Sequence, residues 1–344
     1  MANWLRKLLG YTIIAASIGA GWAWAKYELY LDTPLYVGDR VIYYTVDAGS
    51  SVKRIARELS EARVIRQPRF FEWFARLEGQ AHRIHSGEYE ILGSMTPRDL
   101  LADMVSGNVV QYPMTIVEGW SFKQLRSFLA QHDALEHTIT DLSDAEVMAK
   151  IGYADEHAEG RFLPDTYHFP RGTKDTEFLK RAYLAMSEVL AEQWQGRDNG
   201  LPVKSPYEAL ILASIIEKET AVPAERPEIA GVFVRRLQKK MRLQTDPTVI
   251  YGMGEQYKGN IRRKDLRTDT PYNTYTRHGL PPTPIAMPSA AAIQAALQPK
   301  PGKTLYFVSK GNGEHYFSTT LAEHNQAVVK YQLNGRKRPF SSNP

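Results

Sequence analysis

The sequence predicts an α+β chain behind a single apolar N-terminal helix. Three observations carry this. Residues 8–25, LLGYTIIAASIGAGWAWA, are uncharged. Short strands then lead through glycine turns into amphipathic helices, and the second half mixes long helical runs with a closing hairpin. The 344 residues suffice for two or three domains. A hydrophobic content of 43% beside 24% charged residues is that of a folded globular chain. The formal charge of +5 is mild, and the absence of cysteine excludes disulfides and thiolate metal sites.

Residues 1–7 bring Arg6 and Lys7 ahead of the apolar run. About 17–25 apolar residues span a bilayer, so 8–25 just suffices. A leading basic flank favours an N-terminus inside and the bulk of the chain outside. Trp22 and Trp24 fall where an interfacial belt would lie. A cleaved signal peptide, with Ala23, Trp24 and Ala25 as its small-residue site, is the competing reading. Both export the remaining chain.

Residues 26–40 are expected to be a linker, and 41–134 a repeat-built subdomain. Three stretches, 42–62, 88–107 and 114–133, share strand, glycine turn and amphipathic helix. The turns hold Gly49, Gly93 and Gly119, each followed by Ser or Thr, residues that accept bonds from free N–H groups of a helix's first turn. Val52, Ile55, Ala56 and Leu59 recur at helical spacing in the first unit. Leu100, Leu101, Met104 and Val105 do so in the second, and Phe122, Leu125, Phe128 and Leu129 in the third. An extra aromatic-rich helix is expected over 68–79. A polar linker over 135–158 then leads to a catalytic domain, 159–335, and a basic tail, 336–344. In that domain helices are expected over 176–194, 206–220 and 321–332, with a Gly- and Pro-studded region over 241–288. Asn312 and Gly313 between two strands signal a hairpin.

Two glutamates stand out in residues 213–221, ASIIEKETA. On a helix at about 100° per residue, Glu219 falls in the stripe of Leu212, Ile215 and Ile216. Glu217 lies about 200° away, with Ser214 and Lys218. Glu217 therefore reads as a solvated surface acid, and Glu217→Gln as nearly silent. Desolvation would raise the pKa of Glu219 and suit it to general acid work near neutral pH. Alternatively, Glu219 ends the helix in solvent or pairs with a core arginine.

The segment 213–220 resembles the catalytic helix of goose-type lysozymes and lytic transglycosylases, where the catalytic Glu precedes Ser or Thr. This selects Glu219, followed by Thr220. More specifically, the chain resembles the YceG/MltG family of endolytic murein transglycosylases. The resemblance rests on LPDTYHF (163–169), RLQTDPTVIYG (242–252), YNTYTRHGLPPTPI (272–285), LYFVSKGNGEHYFS (305–318) and EHNQAV (323–328). Thr283 and Ser289 stand where that family often has Gly, which puts the backbone path of their loops in question. The opening of the 42–62 unit resembles a LysM-type glycan-binding module. A generic scaffold is the equal alternative.

The resemblance implies a fold class of α+β with a single N-terminal transmembrane helix, a LysM-like subdomain and a lysozyme-like catalytic domain. It implies a peptidoglycan substrate, an inner-membrane anchor with the bulk in the periplasm, and cell-wall synthases as candidate partners. It also implies one catalytic acid, Glu219, and no enzymic nucleophile. Glu219 would protonate the oxygen leaving C1 of N-acetylmuramic acid, then take the proton of that sugar's C6 hydroxyl as a 1,6-anhydro ring closes. Glycosidases usually carry two carboxylates, and neither candidate partner convinces. Glu225 also reads as a helix cap or a partner of Arg226 or Arg235, and Asp246 as a turn-former before Pro247.

Gln244, Asn273, Tyr275 and His315 carry donors and acceptors suited to hydroxyl and acetamido groups. With Asp246 and Glu225 they form the expected substrate-binding set, although tyrosine packing and a structural His315 are open alternatives. Gly279 to Pro282 reads as a cleft wall. Arg242, Arg262 and Arg263 would attract acidic stem peptides or simply be solvated. No metal or cofactor is expected: His82 and His85 form a lone pair, and no HExxH, P-loop or GxGxxG motif is present. Modest charge and export disfavour nucleic acid. A water-consuming hydrolase and a non-catalytic glycan-binding scaffold are the alternatives.

Overall fold

The structure, a computed structural model, describes residues 2–333. The expected basic tail lies outside them. The described chain forms two compact units. One comprises residues up to Tyr112 with His168–Gly172, and the other Pro113–Tyr167 with the chain from Thr173 onward. Mixed α/β structure behind an apolar helix is as expected, but the boundary falls at 112 and not 134.

The first unit holds α1 (Ala2–Leu31), β1 (Val41–Val46), α2 (Val52–Glu61), α3 (Pro68–Leu77), β2 (Gly87–Leu92) and α4 (Pro97–Ser106). Strands β1 and β2 pair antiparallel with Tyr44 opposite Tyr89. The apolar stripe of α2 is buried as its spacing predicts: Val52, Ile55, Ala56 and Leu59 all face the core. Ser51 caps α2, and Thr96 caps α4 in a reciprocal capping box with Asp99. The span 26–40 is not a linker. α1 continues through Leu31, and Tyr27, Leu31, Leu35 and Val37 are buried in this unit's core. The segment from Arg6 to Leu31 is long and apolar enough to cross a membrane.

The chain continues through β3 (Gln111–Thr115), α5 (Phe122–Leu129), β4 (Leu135–Glu136), α6 (Asp144–Ile151), β5 (Thr166–Pro170) and β6 (Thr173–Lys174). The third expected repeat thus has its cap, Ser121, and its helix, α5. Its strand pairs with β5 instead of joining β1 and β2. Nor is 135–158 a linker, because Val147, Met148 and Ile151 of α6 are buried.

Then follow α7 (Asp175–Gln195), α8 (Pro206–Glu219), α9 (Arg226–Gln238), α10 (Asp246–Met253), α11 (Arg263–Arg267), α12 (Ala290–Leu297), β7 (Tyr306–Ser309), β8 (His315–Ser318) and α13 (Leu321–Tyr331). The β7–β8 hairpin pairs antiparallel as its Asn-Gly turn predicts. Asp246 opens α10 as its first helical residue, where Pro247 is tolerated, so it does not form a turn.

Helix α8 is the hub of the second unit. Ser205 caps it by accepting the N–H of Glu208, and Pro206 fixes its first turn. All of 209–216 is buried, including Ser214, whose hydroxyl bonds Ile211 O and accepts the N–H of Ile285. The helix therefore has no wet side along 209–216. It ends where Thr220 turns extended.

Candidate functional site

Three elements bring the site together: the end of α8, the loop after β3 and the start of α10. Gly119 shapes the loop with a φ of 75°, donating to Met287 O at 2.8 Å and accepting from Lys218 Nζ at 3.1 Å. Gly160 is the second special glycine. Its φ is 79°, and a Cβ there would meet Pro284 Cβ at 2.5 Å. A cleft of about 750 Å³ lies between the loop after β3, residues 164–166 and the end of α8, while the start of α10 meets Glu219 beside it. Among its walls are Glu118, Asp165, Glu217, Lys218, Glu219 and Arg226.

Glu219 is the last residue of α8, as one of the open readings allowed, but it is only partly exposed. It keeps a partial opening while protein crowds its carboxyl. Burial raises its pKa to about 7, and the charge of Asp246 adds to the rise. The hydroxyl of Thr245, donating to Oε1, and the cation of Arg236 pull in the opposite direction. The partial negative charge of a helix C-terminus also disfavours an anion there.

Thr245 was not singled out in the sequence. It is aimed at Glu219 by Gln244, which holds a left-handed φ of 52°, a strained setting for a residue with a side chain. Thr245 N donates to Thr274 Oγ1 at 3.1 Å, which fixes this bend.

The other expected residues divide. The Tyr275 hydroxyl donates to Asp246 Oδ1 at 2.6 Å, and both carry electrostatic influence to or from Glu219. Burial raises the Tyr275 pKa, so it stays a neutral donor. Gln244 is exposed beside Thr245. Glu225 pairs with His315, not with Arg226 or Arg235: Oε2 lies 2.7 Å from Nδ1, and Oε1 accepts the His315 N–H at 2.8 Å. Thr220 Oγ1 reaches Glu225 at 3.4 Å, which ties this pair to the neighbour of Glu219.

Asn273 is corrected. It is 1% exposed, with Nδ2 bonded to the carbonyls of Asp265, Leu266 and Thr268, and Oδ1 accepting from Tyr275 N. Its polar atoms are taken up by hydrogen bonds within its own loop. The loop Gly279 to Pro282 lines a separate cavity with Tyr207 and Glu208, not the one at Glu219.

Glu217 is the largest correction. Its side chain is 5% exposed, and Oε1 accepts from Arg226 Nη2 at 2.9 Å. Oε2 accepts the Ser289 N–H at 2.9 Å. Arg226 also reaches Glu118 at 3.1 Å. Ser289, which departs from the resembled pattern, thus serves Glu217 while also capping α12.

Glu159 was missed altogether. It is buried, accepting from Phe122 N at 2.9 Å and from the Tyr251 hydroxyl at 3.0 Å. Burial raises its pKa to about 7. The folded chain then keeps a proton that the unfolded chain releases above about pH 4.5. Stability from this group is complete below that pH and is lost as pH rises through about 7. Glu159→Gln is expected to remove on the order of 3 kcal/mol of that pH-dependent loss. Urea unfolding at the two ends of this window checks it, and an unchanged slope would refute the assignment.

A family model described as the YceG-like family matches residues 44–330, most of the chain. The chain belongs to this family. The endolytic murein transglycosylase of Bacillus subtilis (strain 168) is 33% identical over 303 residues, covering 83% of each protein. The endolytic murein transglycosylase of Streptococcus pneumoniae (strain D39) is 25% identical over 361 residues, covering 94% of this chain and 65% of its own length. The crystal structure of a yceG-like protein from Listeria monocytogenes matches with a TM-score of 0.52 at 30% identity. It covers 84% of this YceG-like chain and 99% of that one.

Proposed function

We propose that this YceG-like chain is a peptidoglycan lytic transglycosylase of the lyase class, with Glu219 as its catalytic acid and base. The observation that carries the reading is a carboxyl on the cleft wall, crowded by protein and held by the Thr245 hydroxyl, a setting whose burial pushes its pKa up to about 7. A group so tuned is able both to give and to take a proton at neutral pH. Of the other acids around it, Glu217 and Glu118 lie on Arg226, Asp246 on Tyr275 and Glu225 on His315, while Asp165 on the cleft wall is exposed and accepts the Thr166 N–H. That supports a mechanism with one acid and no enzymic nucleophile.

Protonated Glu219 donates to the bridging oxygen as the bond to C1 of N-acetylmuramic acid breaks. The positive charge that develops at C1 is eased by the substrate's own N-acetyl group. Thr245 donates to the resulting carboxylate and holds it in place. Glu219 then accepts the C6 hydroxyl proton while O6 attacks C1. The ring closes as a 1,6-anhydro end, the proton count balances, and no water is consumed.

The same proposal places the cut within strands, with termination or trimming of nascent glycan as its use. The uncharged run 8–25 within α1 is read as the anchor in the inner membrane, with the rest of both units in the periplasm. A LysM-like role for the β1–α2–α3–β2 region, a lysozyme-like ancestry for the part around α8, and association with cell-wall synthases complete it. Mass spectrometry of digested glycan tests the reaction class: anhydro ends are expected, and ends heavier by one water would indicate a hydrolase instead.

A further inference from the structure

The first unit carries an exposed face that the proposed reaction does not use. On α3, Arg69, Phe70, Trp73, Arg76 and Leu77 fall within about 120° of the helix circumference. Phe71, Phe74 and Ala75 on the opposite side are buried in the core. Trp73 is 55% exposed and Leu77 71%. Two large apolar side chains beside two arginines at such exposure suit a partner that is apolar and anionic at once.

The position of α3 says which partner. A chain of ring contacts runs from the apolar helix onto this face. Trp24 meets Tyr27 at 5.6 Å, Tyr27 meets Phe70 at 5.8 Å, and Phe70 meets Trp73 at 6.0 Å. Tyr30 also contacts Phe70, at 5.6 Å. The uncharged run 8–25 is about 27 Å long, close to a bilayer's hydrocarbon core of about 30 Å. Tyr27 and Tyr30 lie about 3 and 8 Å further along the axis. A headgroup layer is about 5–8 Å deep. The contact between α1 and α3 is therefore at headgroup height.

We propose that α3 is a second membrane contact, with its Arg69, Phe70, Trp73, Arg76 and Leu77 face seated in the headgroup layer of an anionic bilayer beside the exit of α1. Trp73 and Leu77 reach the boundary with the acyl chains. Arg69 and Arg76 meet lipid phosphates, Arg76 retaining Glu72 at 2.7 Å on its other side. This rests on the reading of α1 as a membrane span.

The chain has no cysteine, so single labels are unambiguous. Spin labels at Ile18→Cys, Leu77→Cys and Leu184→Cys are compared in the full chain. The protein is reconstituted in phosphatidylethanolamine–phosphatidylglycerol vesicles. Collisions with oxygen and with a water-soluble nickel chelate are measured at each. The Leu77 label is expected to meet the chelate several-fold less often than the label at exposed Leu184 of α7. Reversing Arg69 and Arg76 to Glu is expected to restore the chelate contact. A Leu77 label as accessible as that at Leu184, with Ile18 shielded, overturns the α3 contact and leaves the span standing. An accessible Ile18 overturns the span and the contact with it.

Discussion

Glu219→Gln is expected to lower glycan cleavage by about 10²–10⁴-fold, the usual contribution of a positioned acid–base group. The substitution keeps volume and leaves an acceptor for the Thr245 hydroxyl, so the fold should persist. What disappears is the proton. In the unchanged protein the acid step requires the protonated form, whose pKa is about 7. Below that value the form is populated, and above it kcat/KM should fall about tenfold per pH unit. Counting new chain ends by mass spectrometry across the neutral range measures both effects. Cleavage undiminished in Glu219→Gln would end the assignment.

Glu217→Ala is expected to destabilise the protein by about 3–5 kcal/mol, the range for removing one partner of a buried ion pair. Arg226 is 10% exposed and would retain only Glu118, which is 51% exposed. Ser289 would lose the acceptor for its N–H as well, loosening the start of α12 against α8. Glu217→Gln should fall between this variant and the unchanged protein, since the amide keeps an acceptor but not the charge. Urea titration reads the difference. A loss below about 1 kcal/mol, typical of a surface pair, would mean that solvent reaches the site.

The contrast between these two acids shows where sequence reading works. Hydrophobic period placed the buried stripes of α2 and α4, and Ser51, Thr96 and Ser121 cap their helices as their positions suggest. The Asn-Gly turn fixed a hairpin because its cause is local. The wheel set Glu219 in the apolar stripe, where protein does crowd it, but assigned Glu217 to water. An angle of about 200° separates two acids, yet it does not say which side is wet when protein packs all round. Ser214, at 0% exposure, was misjudged for the same reason.

Long-range partners were illegible. Arg226 is nine residues from Glu217, but Ser289 is 72 from Glu217, and Tyr251 is 92 from Glu159. Nothing in the chain at Glu159 marks it as buried. Thr245 lay inside a stretch that carried the family resemblance, yet its role depends on the left-handed bend at Gln244. Asn273 looked like a sugar contact because an amide serves loops and sugars equally well. In the fold its Nδ2 is bonded to three carbonyls of its own loop.

The continuity of α1 with the first unit's core has a mechanical consequence. A flexible tether absorbs changes in bilayer thickness as slack. Here Leu31, 1% exposed, locks the helix end into the packed interior, and no slack exists. On the membrane-spanning reading, a bilayer thicker than the apolar run is met by local thinning, and a thinner one by tilting α1. Either response is transmitted to the unit as a change of height or lean. Lipid composition would then act as a lever on the orientation of this unit.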